Sequence, residues 1–316
     1  MSKLFVGLFI TLCICASSSS ASDTYGVGIW NNGTNVNVGL VNYSRAAPTI
    51  LKVVIQQFNF IGDASQISTY NYNTKQLTLV ANIINTSQFF LITIDCNTWT
   101  IVSKSPISQN VNYYGLESDY STNGTLFAPT TYGDGLIYMN ILDPLSLAVR
   151  GTFDYFPGSV KGSVYDPVNQ LYYICYTLAT NANIRCRQYN SSYSLVQEKQ
   201  LNVTNSNFQV IASPISLIYN PTTKTITCYL QMMNQYPTPS ISYYFTLFDF
   251  ENSVFNVIQQ NHIYGTIVST ASDMNGLRLS YSVEYFNGQY QLWVVDTRFS
   301  TLLTRFALNT ALLSIF

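Results

Sequence analysis

The stretch Ser163–Thr177, SVYDPVNQLYYICYT, decides the fold. It holds an apolar strand, a polar turn at Asp166-Pro167-Val168-Asn169 and a second apolar strand. Asp opens such turns because its side chain accepts hydrogen bonds from backbone N–H groups just ahead of it, and Pro presets the next backbone angle. Versions of the stretch recur along the chain. They are YNYNTKQLTLV led by Asn71, SDYSTNGTLFA led by Asp119, IYNPTTKTITCYL led by Asn220 and SDMNGLRLSYS led by Asp273. Counting Asp166, successive leads are 48, 47, 54 and 53 residues apart.

A second signature follows each of these. It is an apolar strand ending in Asp or Asn, a short turn and another apolar strand. Its leads are Asn42, Asp95, Asp143, Asn190, Asp249 and Asp296. The distance from first to second lead is 24 residues in three units, 29 in the next and 23 in the last. Each unit of ~50 residues thus carries two tight turns and about four strands, the pattern of a β-propeller blade. The first signature joins strands one and two of a blade, counted outward from the axis. The second joins strands three and four.

Six second signatures against five first ones predict six blades. The missing copy falls at Ser18, within the leader described below, so blade one begins at its second strand, Tyr25–Trp30. Its third and fourth strands are expected at Asn35–Tyr43 and Thr49–Gln57. The apolar segment after the last fourth strand (Thr301–Leu308), within Thr310–Phe316, is placed to supply the innermost strand of blade one. That pairing closes the ring and removes an open edge. The alternative, seven blades, needs ~50 more residues than the register supplies.

The blade ends Tyr165-Asp166-Pro167, Leu142-Asp143-Pro144 and Val295-Asp296-Thr297 resemble those of the broad family of repeat β-propellers, such as the YVTN-like and WD40-like propellers. The resemblance covers most of the chain at blade level and implies the fold alone. The Gly-His and Trp-Asp pairs of WD repeats are absent, as are the paired glycines of kelch repeats.

Composition agrees with an all-β chain. Of 316 residues only 9% are charged, while Tyr numbers 25. Tyr, Thr, Val and Ile suit half-buried pleated surfaces. The net charge is −1 with no run of Lys or Arg. A nucleic-acid partner is therefore not expected, since a phosphate backbone needs clustered cations.

Residues 1–21 read as a signal peptide. Lys3 gives a positive start, Leu4–Ala16 an apolar run and Ser19-Ser20-Ala21 a small-residue cleavage site. Residues 22–316 form a single propeller domain in this reading, with no integral membrane span. Thr310–Phe316 is too short for a lipid-anchor tail. The expected location is secreted or extracellular, or the lumen of the secretory or lysosomal pathway. Asn32, Asn42, Asn85, Asn123, Asn190 and Asn202 lie in Asn-x-Ser/Thr triplets and are candidate N-glycosylation sites.

After leader removal Cys96, Cys175, Cys186 and Cys228 remain. Cys175 and Cys186 lie on adjacent strands of one blade, across a turn at Asn181–Asn183, and are expected to form a disulfide. Cys96 and Cys228 fall in opposite blades, too far apart to bridge, and are expected to be free and buried, or capped. No Cys or His spacing suggests a metal, and no cofactor is implied.

The leads that repeat are read as turn formers. The single histidine, His262, falls in a connection between blades, without a G-x-S-x-G elbow. No catalytic residue is assigned. Function is expected where the repeats differ, at the end bearing the loops between strands two and three and the crossings between blades. Tyr113, Tyr114, Tyr132, Tyr155, Phe156, Tyr236, Tyr264 and Tyr285 map there as candidate ligand-binding residues, with Phe286 beside them. The acidic residues at that end are Asp63, Asp134, Asp154 and Glu284. The long loop within Gln231–Ser242 is a further specificity candidate. The leading expectation is a secreted glycoprotein that binds a glycan or a protein. The alternatives are a carboxylate-dependent glycoside hydrolase, which needs two converging acids, and a structural or coat protein without a discrete ligand.

Overall fold

The computed structural model of the chain describes residues 25–44, 49–61, 66–121, 124–179, 181–204, 208–211, 216–220, 222–234, 240–257, 265–272, 279–296 and 301–316. The strands form six sheets, the blades of a six-bladed β-propeller. Outward from the axis, blade one is Leu312–Ile315, Tyr25–Asn32, Asn35–Asn42 and Ile50–Gln56. Blade two is Ser68–Asn71, Gln76–Ile83, Phe89–Asp95 and Thr100–Pro106. Blade three is Glu117–Ser118, Leu126–Thr131, Leu136–Leu142 and Val149–Pro157. Blade four is Ser159–Asp166, Leu171–Leu178, Asn181–Tyr189 and Leu195–Gln200. Blade five is Ser216–Asn220, Thr225–Asn234, Ser240–Asp249 and Val254–Val257. Blade six is Thr266–Ser272, Leu279–Phe286, Gln289–Asp296 and Thr301–Leu308.

The turn leads do the work expected of them. The Asp166 carboxylate accepts from Val168 N at 2.9 Å and Asn169 N at 3.1 Å. Asn71 accepts from Asn73 N and Thr74 N, Asp143 from Leu145 N and Ser146 N, and Asn220 from Thr222 N and Thr223 N. Four residues after the lead the backbone turns left-handed. Lys75, Trp99, Leu147, Gln170, Lys224 and Ser253 all have φ between 53 and 60°. None of these is glycine, although glycine adopts that region without a steric penalty.

The ring closes as expected. Leu312–Ile315 pairs antiparallel with Tyr25–Asn32. Val27 and Phe316 exchange backbone hydrogen bonds at 3.1 and 2.9 Å, and the Tyr43 hydroxyl donates to the Phe316 carbonyl at 2.9 Å. The closing strand also reaches both neighbouring blades. Ser314 shares a hydroxyl hydrogen bond with Ser68, and Ile315 N donates to Ser269 Oγ. Gly26 permits this approach, because a Cβ there would collide with the Phe316 carbonyl and the Tyr43 hydroxyl.

Second and third strands are buried on both faces, so they read as near-continuous apolar runs. Aromatic rings fill the seams between blades. Phe127 of blade three stacks on Tyr172 of blade four at 4.7 Å, and Tyr43 of blade one on Tyr281 of blade six at 4.2 Å. Much of the tyrosine content is therefore packing material. The blade-five rim is irregular. Asn202–Val203, leaving blade four, pairs parallel with Val254–Val257. Lys199 Nζ ties the same junction by donating to the Phe250 and Glu251 carbonyls, each at 3.0 Å.

Cys175 and Cys186 are register partners on the second and third strands of blade four and form the disulfide. The reversal between those strands is not at Asn181–Asn183. Leu178 pairs with Asn181 across it, so the loop is shorter and the third strand begins at Asn181. The asparagines there belong to strand, and the disulfide is unaffected by the shift. Cys96 and Cys228 are buried free thiols.

Candidate functional site

The strand order fixes two ends. Innermost strands run toward the Asx-led turns, so those turns share one end. The loops between strands two and three lie at the other. At the loop end, blade three gathers a cluster of tyrosines. Tyr132 packs edge-on against Tyr138 at 4.8 Å, and Tyr138 stacks with Tyr155 at 6.1 Å. Asp134 accepts from the Tyr138 hydroxyl at 2.5 Å, and that bond, with Leu136 N, holds its carboxyl below the usual range. Tyr114, Tyr132 and Tyr155 are 36%, 42% and 65% exposed. Beside them Tyr113 and Tyr114 line a cavity of about 230 Å³ at the seam of blades two and three, with Ile61, Ile67, Phe89 and Val111. Burial pushes the Tyr113 hydroxyl up to about 12.

The other candidates separate. Phe156 is buried, with the Arg187 guanidinium 4.0 Å over its ring. It alternates with Tyr155 on one strand, and adjacent strand residues face opposite sides; Phe156 is a seam residue and not part of the surface. Tyr285 is exposed but belongs to blade six, across the ring, where it packs on Tyr290 at 4.9 Å. Tyr236, Tyr264, His262, Asp63, Asp273, Asn123 and residues 1–21 lie outside the described residues. Of the remaining sequons, Asn32, Asn85 and Asn202 are exposed. Asn42 is buried, and its side chain accepts from Ser44 N as a turn lead. Asn190 likewise caps its own turn through Ser192 N and Ser194 N.

The loop-end carboxylates that are described are engaged by the protein. Asp154 bonds Arg187 at 2.8 Å and the Tyr189 hydroxyl at 2.6 Å. Glu284 is buried and accepts from Trp293 Nε1 and Gly265 N, both at 2.7 Å. Among the described residues no group of three or more His, Cys, Asp or Glu could hold a metal. No helix among them is long and apolar enough to cross a membrane.

The second site is the central channel. The innermost strands of all six blades contribute to a cavity of about 200 Å³. Gln66 spans its loop end. The Gln66 amide donates to the Leu217 carbonyl of blade five at 3.0 Å and accepts from Ser163 N of blade four at 3.1 Å. At the turn end the wall becomes aromatic, with Tyr70, Tyr72, Tyr120, Tyr219 and Phe316. Tyr70 and Tyr72 meet edge-on at 4.9 Å, and Tyr72 lies 5.7 Å from Tyr120. A second cavity of about 230 Å³ adjoins this mouth and shares Tyr70, Tyr72, Ser272 and Phe316.

Glu117 is the one carboxylate among the described channel-lining residues. It is 7% exposed. Burial pushes its carboxyl well above 4.5, and the Ser163 hydroxyl offsets this only in part. Tyr120 and Tyr172 face it with hydroxyls that are themselves pushed up by burial. Burial thus favours the neutral form of the acid. A group with a raised folded pKa contributes stability below its unfolded pKa and loses it as pH rises toward the folded value. Glu117→Gln is therefore expected to melt close to wild type at pH 4 and progressively above it as the pH rises from there. Parallel melting curves of the two proteins would show instead that the acid is solvated.

Sequence reasoning missed Glu117, yet a signal existed. The residue two before each first-signature lead lines the channel, at Thr69, Glu117, Val164, Ile218 and Ala271. Glu117 is the charged member of that set.

No family model matches the chain, and no curated protein matches it. Solved structures do. A chain from a nidogen/laminin complex superposes with a TM-score of 0.57 at 10% identity, covering 92% of this chain and 97% of that one. TolB from Acinetobacter baumannii superposes with a TM-score of 0.59 at 11% identity, covering 92% of this chain and 65% of TolB. At these identities the likeness is one of fold, and it agrees with the six-bladed ring.

Proposed function

We propose that the chain is a secreted glycoprotein that binds a protein partner through the loop end of blade three. The observation that carries this reading is the exposed set Tyr114, Tyr132 and Tyr155 beside an apolar cavity. Aromatic side chains around a pocket that takes an apolar anchor are the usual core of a protein interface. The aliphatic lining of Ile61, Ile67, Val80, Ile107 and Val111 favours such an anchor over a sugar at this position. The nidogen/laminin structure shows a protein complex for a chain of similar fold, which is consistent with the reading. In it, residues 1–21 direct export and Asn32, Asn85 and Asn202 carry glycans, leaving Asn42 and Asn190 as turn formers. The hydrolase reading lacks a second channel carboxylate beside Glu117 among the described residues, and two are required.

The test is a binding screen against an array of purified secreted proteins and ectodomains. The wild type is expected to give a partner whose affinity falls about 10-fold or more in the Tyr132→Ala/Tyr155→Ala variant, since interface tyrosines carry ~2 kcal/mol or more. Both side chains are exposed, so melting should not change. Silence across the array, or a partner indifferent to both substitutions, would favour the structural reading.

A further inference from the structure

We propose that the central channel is a second binding site, entered from the turn end, that takes a single neutral sugar ring. The inference does not depend on the loop-end reading, because it uses other residues at the opposite end. Size comes first. The cavity holds about 200 Å³, and a cavity of about 150 Å³ takes a benzene ring. One pyranose ring fits where a disaccharide would not, and the adjoining mouth leaves room for whatever is attached.

The chemistry of the wall suits a polyol. Ser68 and Ser314 bond each other at 3.0 Å, and Ser269 accepts from Ile315 N at 3.0 Å. A hydroxyl offers one donor and two acceptor positions, so each retains capacity for a ligand. Glu117, 7% exposed on the channel wall, adds a donor and an acceptor in the neutral form that burial favours. Among the described residues no Lys or Arg lines the channel, which disfavours phosphorylated or acidic ligands. The aromatic mouth supplies ring faces for the apolar C–H faces of a sugar. Tyr219 and Ser272 line the channel as well, but their hydroxyl oxygens are buried out of contact with its open space.

Binding is measured by saturation-transfer NMR and calorimetry on the full chain. The probes are glucose, galactose, mannose, fucose and N-acetylglucosamine, each free and as the terminal ring of a trisaccharide. At least one ring is expected to bind. Glu117→Gln should bind it within about threefold of wild type and Glu117→Leu at least tenfold more weakly. Binding of the trisaccharides identifies a glycan terminus as the ligand, and binding of the free rings alone identifies a monosaccharide. Either supports the site. No binding by any ring, as for a channel that holds only water, overturns it. So does binding that survives Glu117→Leu but is lost in Tyr132→Ala/Tyr155→Ala, a result that would leave the loop-end site standing.

Discussion

Removal of Leu312–Phe316 lowers the melting temperature by about 10 °C or more, or yields no soluble protein. Leu312 and Ile315 are 0% and 1% exposed. Burying each such side chain stabilises by about 1.5–3 kcal/mol. For domains of 150–250 residues, each kcal/mol moves the midpoint by about 2–4 °C. The two side chains together are worth about 3–6 kcal/mol, or about 6–24 °C. The backbone adds to it, because the deletion strips the first blade of its ladder partner and of the Val27–Phe316 exchange. Gly26→Val tests the same joint without shortening the chain, since its side chain would displace the Phe316 carbonyl. Calorimetry of both variants is the measurement. A deletion that melts like the full chain would show that the blade holds without its innermost strand.

Arg187→Ala is expected to cost about 2–4 kcal/mol in chemical denaturation. Its guanidinium bonds Glu198 and Asp154, both at 2.8 Å, and lies over Phe156. Its side chain is 16% exposed, those of the acids 24% and 26%. Removing one partner of a fully buried pair costs about 3–5 kcal/mol, and the partial exposure here reduces that. Arg187→Lys should recover less than half, because an ammonium cannot bridge two carboxylates with a planar fork. Burial raises the Glu198 carboxyl, but Tyr176, Arg187 and Arg185 outweigh it and hold it below the usual range. A group depressed in the folded state stabilises above its unfolded pKa and loses that contribution as pH falls through its folded value. The Arg187→Ala deficit should therefore shrink in acid. A loss under about 1 kcal/mol would place this network among surface pairs of little weight.

The register was legible because an Asx-led turn is chemically distinctive. Asp166, Asn71 and Asn220 each announce a strand end through one side chain, and counting between them places the blades. The closing strand and the Cys175–Cys186 bridge follow from that count. The interior was harder to read. Phe156 and Tyr155 look equivalent in a tyrosine-rich sequence, and only the strand's alternation separates the core ring from the exposed one. Glu117 stood in an inner strand of two residues, too short to show a pattern. The Gln66 bridge joins residues 97 and 151 positions apart, a separation at which local sequence carries no signal.

The left-handed position of the turns bears on how freely this ring can be spelled. Six of the turns take an acceptor at the head and a residue without β-branching at positive φ four places on. Lys, Trp, Leu, Gln and Ser all serve. What the turn requires is a chemical role at a spacing, and many letters fill it. A six-bladed ring can therefore superpose on another whose sequence is only 10% identical to it.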